Sequence, residues 1–200
     1  MIEMPPELYH LGKKRVFPKG THIYNNDQTI KHCYYIISGT IKIYIDHRNG
    51  KRSVLDFINN SNWLGEFSIF LQEEVIKENK VIKEVTCLEY DLIKLKESCK
   101  ASTNVSFYFA SYMASKLLLR SYRMSEFMNY SLEDKLARFI LQYQENEIYS
   151  IAHTDASEYL NVSYRHILHV IKQFCDRGLL EKEKAYKIVN RYELEKIAKR

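Results

Sequence analysis

The chain has 200 residues, 46% of them hydrophobic and 28% charged, with a formal net charge of +5. This is the composition of an ordinary globular protein, long enough for one large domain or two small ones. No apolar run approaches the roughly 18 residues of a membrane span. Residues 1–11 lack the basic start and apolar stretch of a signal peptide, so the expected compartment is the cytoplasm.

Residues 15–95 read as β structure. In residues 34–45, Ile41, Ile43 and Ile45 alternate with Thr40, Lys42 and Asp46, the period-two pattern of a half-buried strand. Gly39 interrupts it where a strand must bend or bulge. Asn49-Gly50 predicts a type I′ hairpin turn, because both central residues of that turn need positive φ. The next strand is predicted over residues 51–58. A loop at residues 59–62 leads to Trp63-Leu64-Gly65-Glu66-Phe67-Ser68-Ile69-Phe70. A polar stretch over residues 72–80 breaks the pattern, and a further strand is predicted over residues 81–95. Many short strands with turn signals indicate a barrel or sandwich.

From residue 102 to 130 the period changes and there is no Gly or Pro. Phe109, Met113, Lys116, Arg120, Met124 and Phe127 recur at steps of three or four. Val105, Tyr108, Tyr112, Leu119 and Tyr122 form a second stripe beside them. A helix apolar on more than one face must bury more than one face. The spacing therefore predicts a helix shared between its own β domain and a partner chain. Ser131-Leu132-Glu133-Asp134 has the spacing of a capping box and opens a new helix to residue 142.

Residues 153–177 carry the clearest functional signal. Thr154 is expected to cap a short helix whose inner face is Ala156, Tyr159 and Leu160. Asn161 tolerates the left-handed conformation of a tight turn, and Ser163 is expected to cap the next helix. In that helix Ile167, Val170, Ile171 and Phe174 share one face, while Tyr164, Arg165, His169 and Lys172 fall largely outside it; His166 can face either way. Two short helices at a sharp turn, the second led by polar and basic residues, make a helix-turn-helix. The DNA major groove admits one helix, whose first residues reach the base edges. Arg165 can donate two hydrogen bonds to guanine, and Ser163 and Tyr164 can reach a base or a phosphate. Lys172 is expected on a phosphate. Gly178 ends the helix, and residues 179–189 read as a strand–turn–strand wing with Lys184 and Lys187 flanking the backbone. Charge supports this reading: residues 131–160 carry a net −4 and residues 161–200 a net +5.

The expected fold is thus α+β: a β-roll effector-sensing domain (1–100), a dimerisation helix (101–130) and a winged helix-turn-helix (131–200). The expected partner is double-stranded DNA. No P-loop, GxSxG, metal-spaced His pair or Cys–His motif points to an enzyme. The competing reading is an effector-binding module that acts through protein contacts without DNA.

That order of elements resembles the Crp/Fnr family of transcription regulators. Residues 34–44 are similar to the family's strand–Gly–strand segment and residues 57–70 to its segment ending in Gly-Glu. Glu158-Tyr159-Leu160-Asn161-Val162-Ser163-Tyr164-Arg165-His166 resembles the YeiL-like branch. The resemblance implies a cyclic-nucleotide-binding-like β-roll, a homodimer on a palindromic site with half-sites about one helical turn apart, and contact with RNA polymerase. The DNA-contacting set expected from the helix-turn-helix and wing is Thr154, Ser163, Tyr164, Arg165, His166, His169, Lys172 and Lys187.

At the effector site the sequence departs from the family. Cyclic-nucleotide binders use the Gly-Glu pair for the ribose and a following Arg-Ser pair for the phosphate. Gly65-Glu66 is present, but residues 74–80 read Glu-Val-Ile-Lys-Glu-Asn-Lys, with neither Arg nor Ser. A buried phosphate without its Arg carries a large desolvation cost. Cyclic AMP is therefore not expected, and Gly65-Glu66 reads as a retained structural turn. The family's oxygen sensors carry an N-terminal cysteine cluster; residues 1–30 contain no cysteine, so no iron–sulfur cluster is expected. Cys33, Cys87, Cys99 and Cys175 show no metal-site spacing and read as reduced thiols, with one exposed redox thiol as the alternative. The expected control of DNA binding is by a non-cAMP effector or by redox state acting through the β-roll; haem on His10, His22, His32 or His47, an unidentified small molecule, a thiol switch and no effector at all stay open. No metal ligands are expected.

Overall fold

Extended, β-branched stretches between Lys13 and Asp91 pair into one antiparallel sheet. A computed structural model of the chain describes residues 3–24, 30–71 and 77–199. The strands are β1 (Lys13–Phe17), β2 (His32–Asp46), β3 (Arg52–Ile58), β4 (Trp63–Leu64) and β5 (Glu78–Asp91). Their order is β1-β5-β2-β3, with β4 also paired to β2. Helices α1 (Pro6–Tyr9), α2 (Leu92–Ala101) and α3 (Thr103–Asn129) accompany them. Contacts divide the chain into residues 1–118 and 119–200, so α3 begins in the first unit and ends in the second.

The roll holds two apolar clusters. Ile36, Ile41, Val81, Val85 and Cys87 fill one. Trp63, Tyr90, Leu95, Val105 and Phe109 fill the other, which joins the sheet to α1, α2 and the start of α3. Both faces of β2 are thereby covered. Lys42 and Thr40, read from sequence as the outward face, are buried. The Lys42 ammonium lies 5.1 Å from the centre of the Tyr44 ring, where the negative face of the π-system compensates part of the lost hydration.

Three local expectations change. The β2–β3 turn is closed by the Gly50 N–H to the His47 carbonyl at 2.9 Å, and the His47 N–H donates to the Lys51 carbonyl at 2.8 Å. Gly50 has φ +76°, whereas Asn49 is not among the positive-φ residues, so the turn is not type I′. It is a longer hairpin loop with a single left-handed glycine. The predicted strand over residues 81–95 begins at Glu78 and stops at Asp91, whose Oδ1 accepts the N–H groups of Ile93 and Lys94 at 2.9 and 3.0 Å. That N-cap starts α2, which strand-like apolar residues such as Leu92 and Ile93 concealed. The polar stretch over residues 72–80 lies partly outside the described residues.

Helix α3 matches the predicted span. Its Val105, Tyr108 and Phe109 are buried, while Phe107, Leu117, Leu118 and Met128 are exposed in the single chain.

The second unit contains α4 (Leu132–Tyr143), β6 (Ile148–Tyr149), α5 (His153–Leu160), α6 (Tyr164–Asp176), β7 (Leu180–Lys182), β8 (Tyr186–Ile188) and α7 (Arg191–Ala198). The predicted capping box is present: the Asp134 N–H donates to Ser131 Oγ at 3.2 Å, and the Ser131 N–H donates to Asp134 Oδ2 at 3.2 Å. The sheet order is β6-β8-β7, so the predicted wing gains a third strand from before α5. Leu136, Phe139, Ile140, Tyr149, Ile167 and Phe174 form the core of this unit.

Candidate functional site

The turn between α5 and α6 is built from three residues. Asn161 adopts φ 52°, ψ 47°, and the Val162 N–H returns to the Ser157 carbonyl at 3.1 Å, which closes α5 sharply. Ser163 then caps α6 by accepting the His166 N–H at 3.3 Å. Thr154 does not cap α5. Ala152 occupies the cap position without a side-chain bond, and Thr154 lies exposed in the first turn. Its carbonyl instead accepts the Ser157 hydroxyl at 2.7 Å.

Helix α6 divides cleanly. Ile167, Val170, Ile171 and Phe174 are buried; Tyr164, Arg165, His166, His169 and Lys172 are exposed. At 3.6 residues per turn Arg165, His169 and Lys172 stack along the side opposite the buried stripe. Gln173 is exposed beside them and was not singled out from sequence; its four-residue step from His169 was the available signal. The wing presents Lys184 at its tip and Lys187 on β8, both exposed. Glu181 is the cross-strand neighbour of Lys187 and offsets part of its charge.

The wing and α5 are tied together by rings. His153, the first residue of α5, stacks on Tyr149 of β6 at 6.3 Å and 13°, and lies 5.2 Å from the Tyr186 ring of β8. Burial, then the charge of Lys182, holds the His153 imidazole below its ordinary pKa. His153 therefore works as a neutral packing group.

Cations in this unit fall into two sets. Arg138 pairs with Glu126, Arg177 with Glu133, and Arg191 with Glu147 and Glu195. Among the described residues, no such partner holds Arg165, Lys172, Lys184 or Lys187. The first set braces helices. The second is available to an external polyanion.

In the first unit, Gly65 has φ +85° and begins a 3₁₀ turn over Glu66–Ile69. A Cβ there would lie 2.1 Å from the Tyr24 hydroxyl, which donates to the His32 carbonyl at 2.7 Å. Glu66 is buried, and its Oε1 accepts from Lys116 Nζ at 2.5 Å. That partner, on α3 and fifty positions away, left no signal in the local sequence pattern. Among the described residues no three His, Cys, Asp or Glu side chains converge as a metal site. No described helix is long and apolar enough to cross a membrane.

A family model for the cyclic nucleotide-binding domain matches residues 14–102, and one for the Crp-like helix-turn-helix domain matches residues 134–197. Regulatory protein YeiL of Escherichia coli O157:H7 is 31% identical over 182 residues, which span 88% of this chain and 81% of YeiL. The crystal structure of a Crp/Fnr-family transcriptional regulator from Eubacterium rectale superposes with a TM-score of 0.79 at 18% identity, covering 96% of this chain and 92% of that one. The chain belongs to the Crp/Fnr family of DNA-binding transcription regulators. Another relative, the cAMP-activated global transcriptional regulator Vfr of Pseudomonas aeruginosa, is 24% identical over 151 residues, 70% of each chain.

Within this Crp/Fnr chain the predicted residues separate into three places. Ser163, Tyr164, Arg165, His166, His169 and Lys172 come together on the cap and outer face of α6. Thr154 and Lys187 stand on α5 and the wing. Gly65 and Glu66 lie in the roll, where Glu66 already has a counter-ion.

Proposed function

We propose that this Crp/Fnr regulator acts in the cytoplasm as a homodimer that recognises a palindromic operator, with one α6 in the major groove of each half-site. The observation that carries the reading is the stripe Arg165–His169–Lys172, exposed on α6 and, among the described residues, without the carboxylate partners that occupy Arg138, Arg177 and Arg191. Arg165 reads guanine through two hydrogen bonds; Ser163, Tyr164, His166 and His169 make the neighbouring base or phosphate contacts. Thr154, Lys172 and Lys187 hold phosphates and set register rather than sequence.

Dimerisation is supported by the second face of α3. Phe107 is 72% exposed and Leu117 69%, whereas Val105, Tyr108 and Phe109 of the same helix are buried against the roll; further along α3, Met128 is 78% exposed. Burying each such side chain against a second copy stabilises by roughly 1.5–3 kcal/mol. RNA polymerase is the partner expected from the family.

The cyclic nucleotide implied by the roll's family does not fit its residues. Glu66 is neutralised by Lys116 from within the chain, and residues 74–80 supply no Arg-Ser pair for a phosphate. Activation by cyclic AMP, as named for Vfr, is therefore not carried over to this chain.

Selection of random duplexes on the purified protein tests the reading. Enrichment of one palindrome, weakened and relaxed at one base position in Arg165→Ala, is the expected result. No enrichment by a folded dimer would favour an effector module that works through protein contacts.

A further inference from the structure

Three side chains at four-residue steps on α3 dock on residues 63–66. The Tyr108 hydroxyl accepts the Trp63 indole N–H at 2.9 Å, and the Tyr112 hydroxyl accepts the Trp63 backbone N–H at 2.9 Å. One turn further, Lys116 Nζ donates to Glu66 Oε1 at 2.5 Å. The two charged side chains are only 12% and 3% exposed. The Phe67 and Tyr112 rings each stand 5.6 Å from the ammonium and screen it from water.

A carboxylate this deeply buried needs a donor or a cation at all times, because an unpaired buried charge is strongly destabilising. In the family's cyclic-nucleotide binders the Gly-Glu pair serves the ligand's ribose. Here the partner comes from α3 itself. The chain thus satisfies the buried Glu66 carboxylate itself, and in doing so ties α3 to the roll.

We propose that Lys116 stands in for an effector at Glu66: it docks α3 on the roll, closes the Gly65–Glu66 site to cyclic nucleotides, and gives the operator-binding form without any addition. The last clause rests on the DNA-binding reading above; the first two do not. The pair makes Lys116 a positioning residue, acting on DNA only through α3.

The test uses the full chain, with Trp63, its single tryptophan, as the reporter of α3 docking. Cyclic AMP and cyclic GMP at millimolar concentration serve as probes. In the wild type neither should bind by calorimetry, move Trp63 emission or change operator affinity. Lys116→Met and Glu66→Gln are compared singly and together. Each single change should weaken the folding equilibrium by about tenfold or more, and the double should be no worse than either, since coupled partners are non-additive. Lys116→Met should also shift Trp63 emission to the red and lower operator affinity, and Lys116→Arg, which keeps the charge, should restore both. Cyclic nucleotide binding to the wild type, or additive single effects, would overturn the proposal. If Lys116→Met does not fold, the wild-type nucleotide titrations and Lys116→Arg still decide it. If no duplex binds any variant while Trp63 and the mutant cycle behave as stated, the DNA-binding reading fails and the Lys116–Glu66 lock stands.

Discussion

Gly39 stands against the backbone of Glu84: a Cβ added to it would lie 2.1 Å from the Glu84 carbonyl oxygen and 2.7 Å from the Val85 Cα. Its φ of +95° also lies where L side chains are strained. Gly39→Ala thus suffers both strain and overpacking, together roughly 2–5 kcal/mol. Gly50 has φ +76° but no neighbour within 4 Å of the added atom, so Gly50→Ala bears only the strain, roughly 1–2 kcal/mol. Urea midpoints of the two variants measure the difference. Equal losses would mean that the close approach of β2 to β5 has no energetic weight.

Tyr108→Phe keeps the ring that packs on Phe109 but removes the oxygen that accepts the Trp63 indole N–H. Trp63 is fully buried, so no water replaces the bond. The expected loss is roughly 1–3 kcal/mol, the cost of an orphaned buried donor. Urea unfolding followed by Trp63 emission reads it, and an unchanged midpoint would show that the bond contributes nothing net.

Cys33 and Cys87 are fully buried, and burial pushes both thiols up to about 12, with Glu66 adding to the effect at Cys33 and Glu89 at Cys87. A thiol that stays protonated at neutral pH is a poor nucleophile. In the native protein an aromatic disulfide reagent at about pH 8 should modify only Cys99 and Cys175, which are partly exposed, whereas urea should release all four. Operator binding should be equal under mild oxidant and reductant. A loss on oxidation that Cys33→Ser abolishes would restore the redox-switch reading.

Asp91 caps α2, and its carboxyl lies below its ordinary pKa, chiefly because the Lys94 backbone N–H bonds to the charged form, with that of Ile93 adding to it. The folded value is below the unfolded one. The cap's contribution is therefore complete above about pH 4 and disappears as pH falls through the folded value. Asp91→Asn still caps the helix but does not titrate. Stability curves of the two proteins should run parallel from about pH 7 to 5 and converge or cross below about pH 4, where the wild type loses more. Parallel curves down to the acid limit would contradict the cap's electrostatic role.

Elements whose signal is local were legible in the sequence. The Ser131–Asp134 box, the left-handed Asn161, the Ser163 cap and the buried stripe of α6 each depend on residues within a few positions of one another. What the sequence concealed depends on distant partners. Lys42 looks like an outward-facing strand residue, but the roll covers both faces of β2. Thr154 looks like a cap, but the chain enters α5 two residues earlier, with Ala152 at the cap and His153 packed on Tyr149 and Tyr186. The Asn49-Gly50 pair marked the hairpin correctly and its geometry wrongly, since the loop closed from His47 rather than across two residues. Glu66 read as a structural turn; only the folded roll brought Lys116 to it.

The division of cations into braced and unbraced sets predicts their salt dependence. Lys172 is exposed on the side of α6 opposite its buried stripe, with no ion pair among the described residues, whereas Arg177, five residues on, is held by Glu133. Each phosphate contact releases counterions on binding, so removing one lowers the slope of log affinity against log salt by about one. In a two-fold dimer Lys172→Ala should lower that slope by about two and weaken all sequences alike. Arg177→Ala should leave the slope unchanged and act instead on stability, because its charge serves Glu133. Operator affinities measured across a salt series decide between them: a slope change in Arg177→Ala of the same size as in Lys172→Ala would mean that the ion pairs seen within the chain do not determine which cations meet DNA.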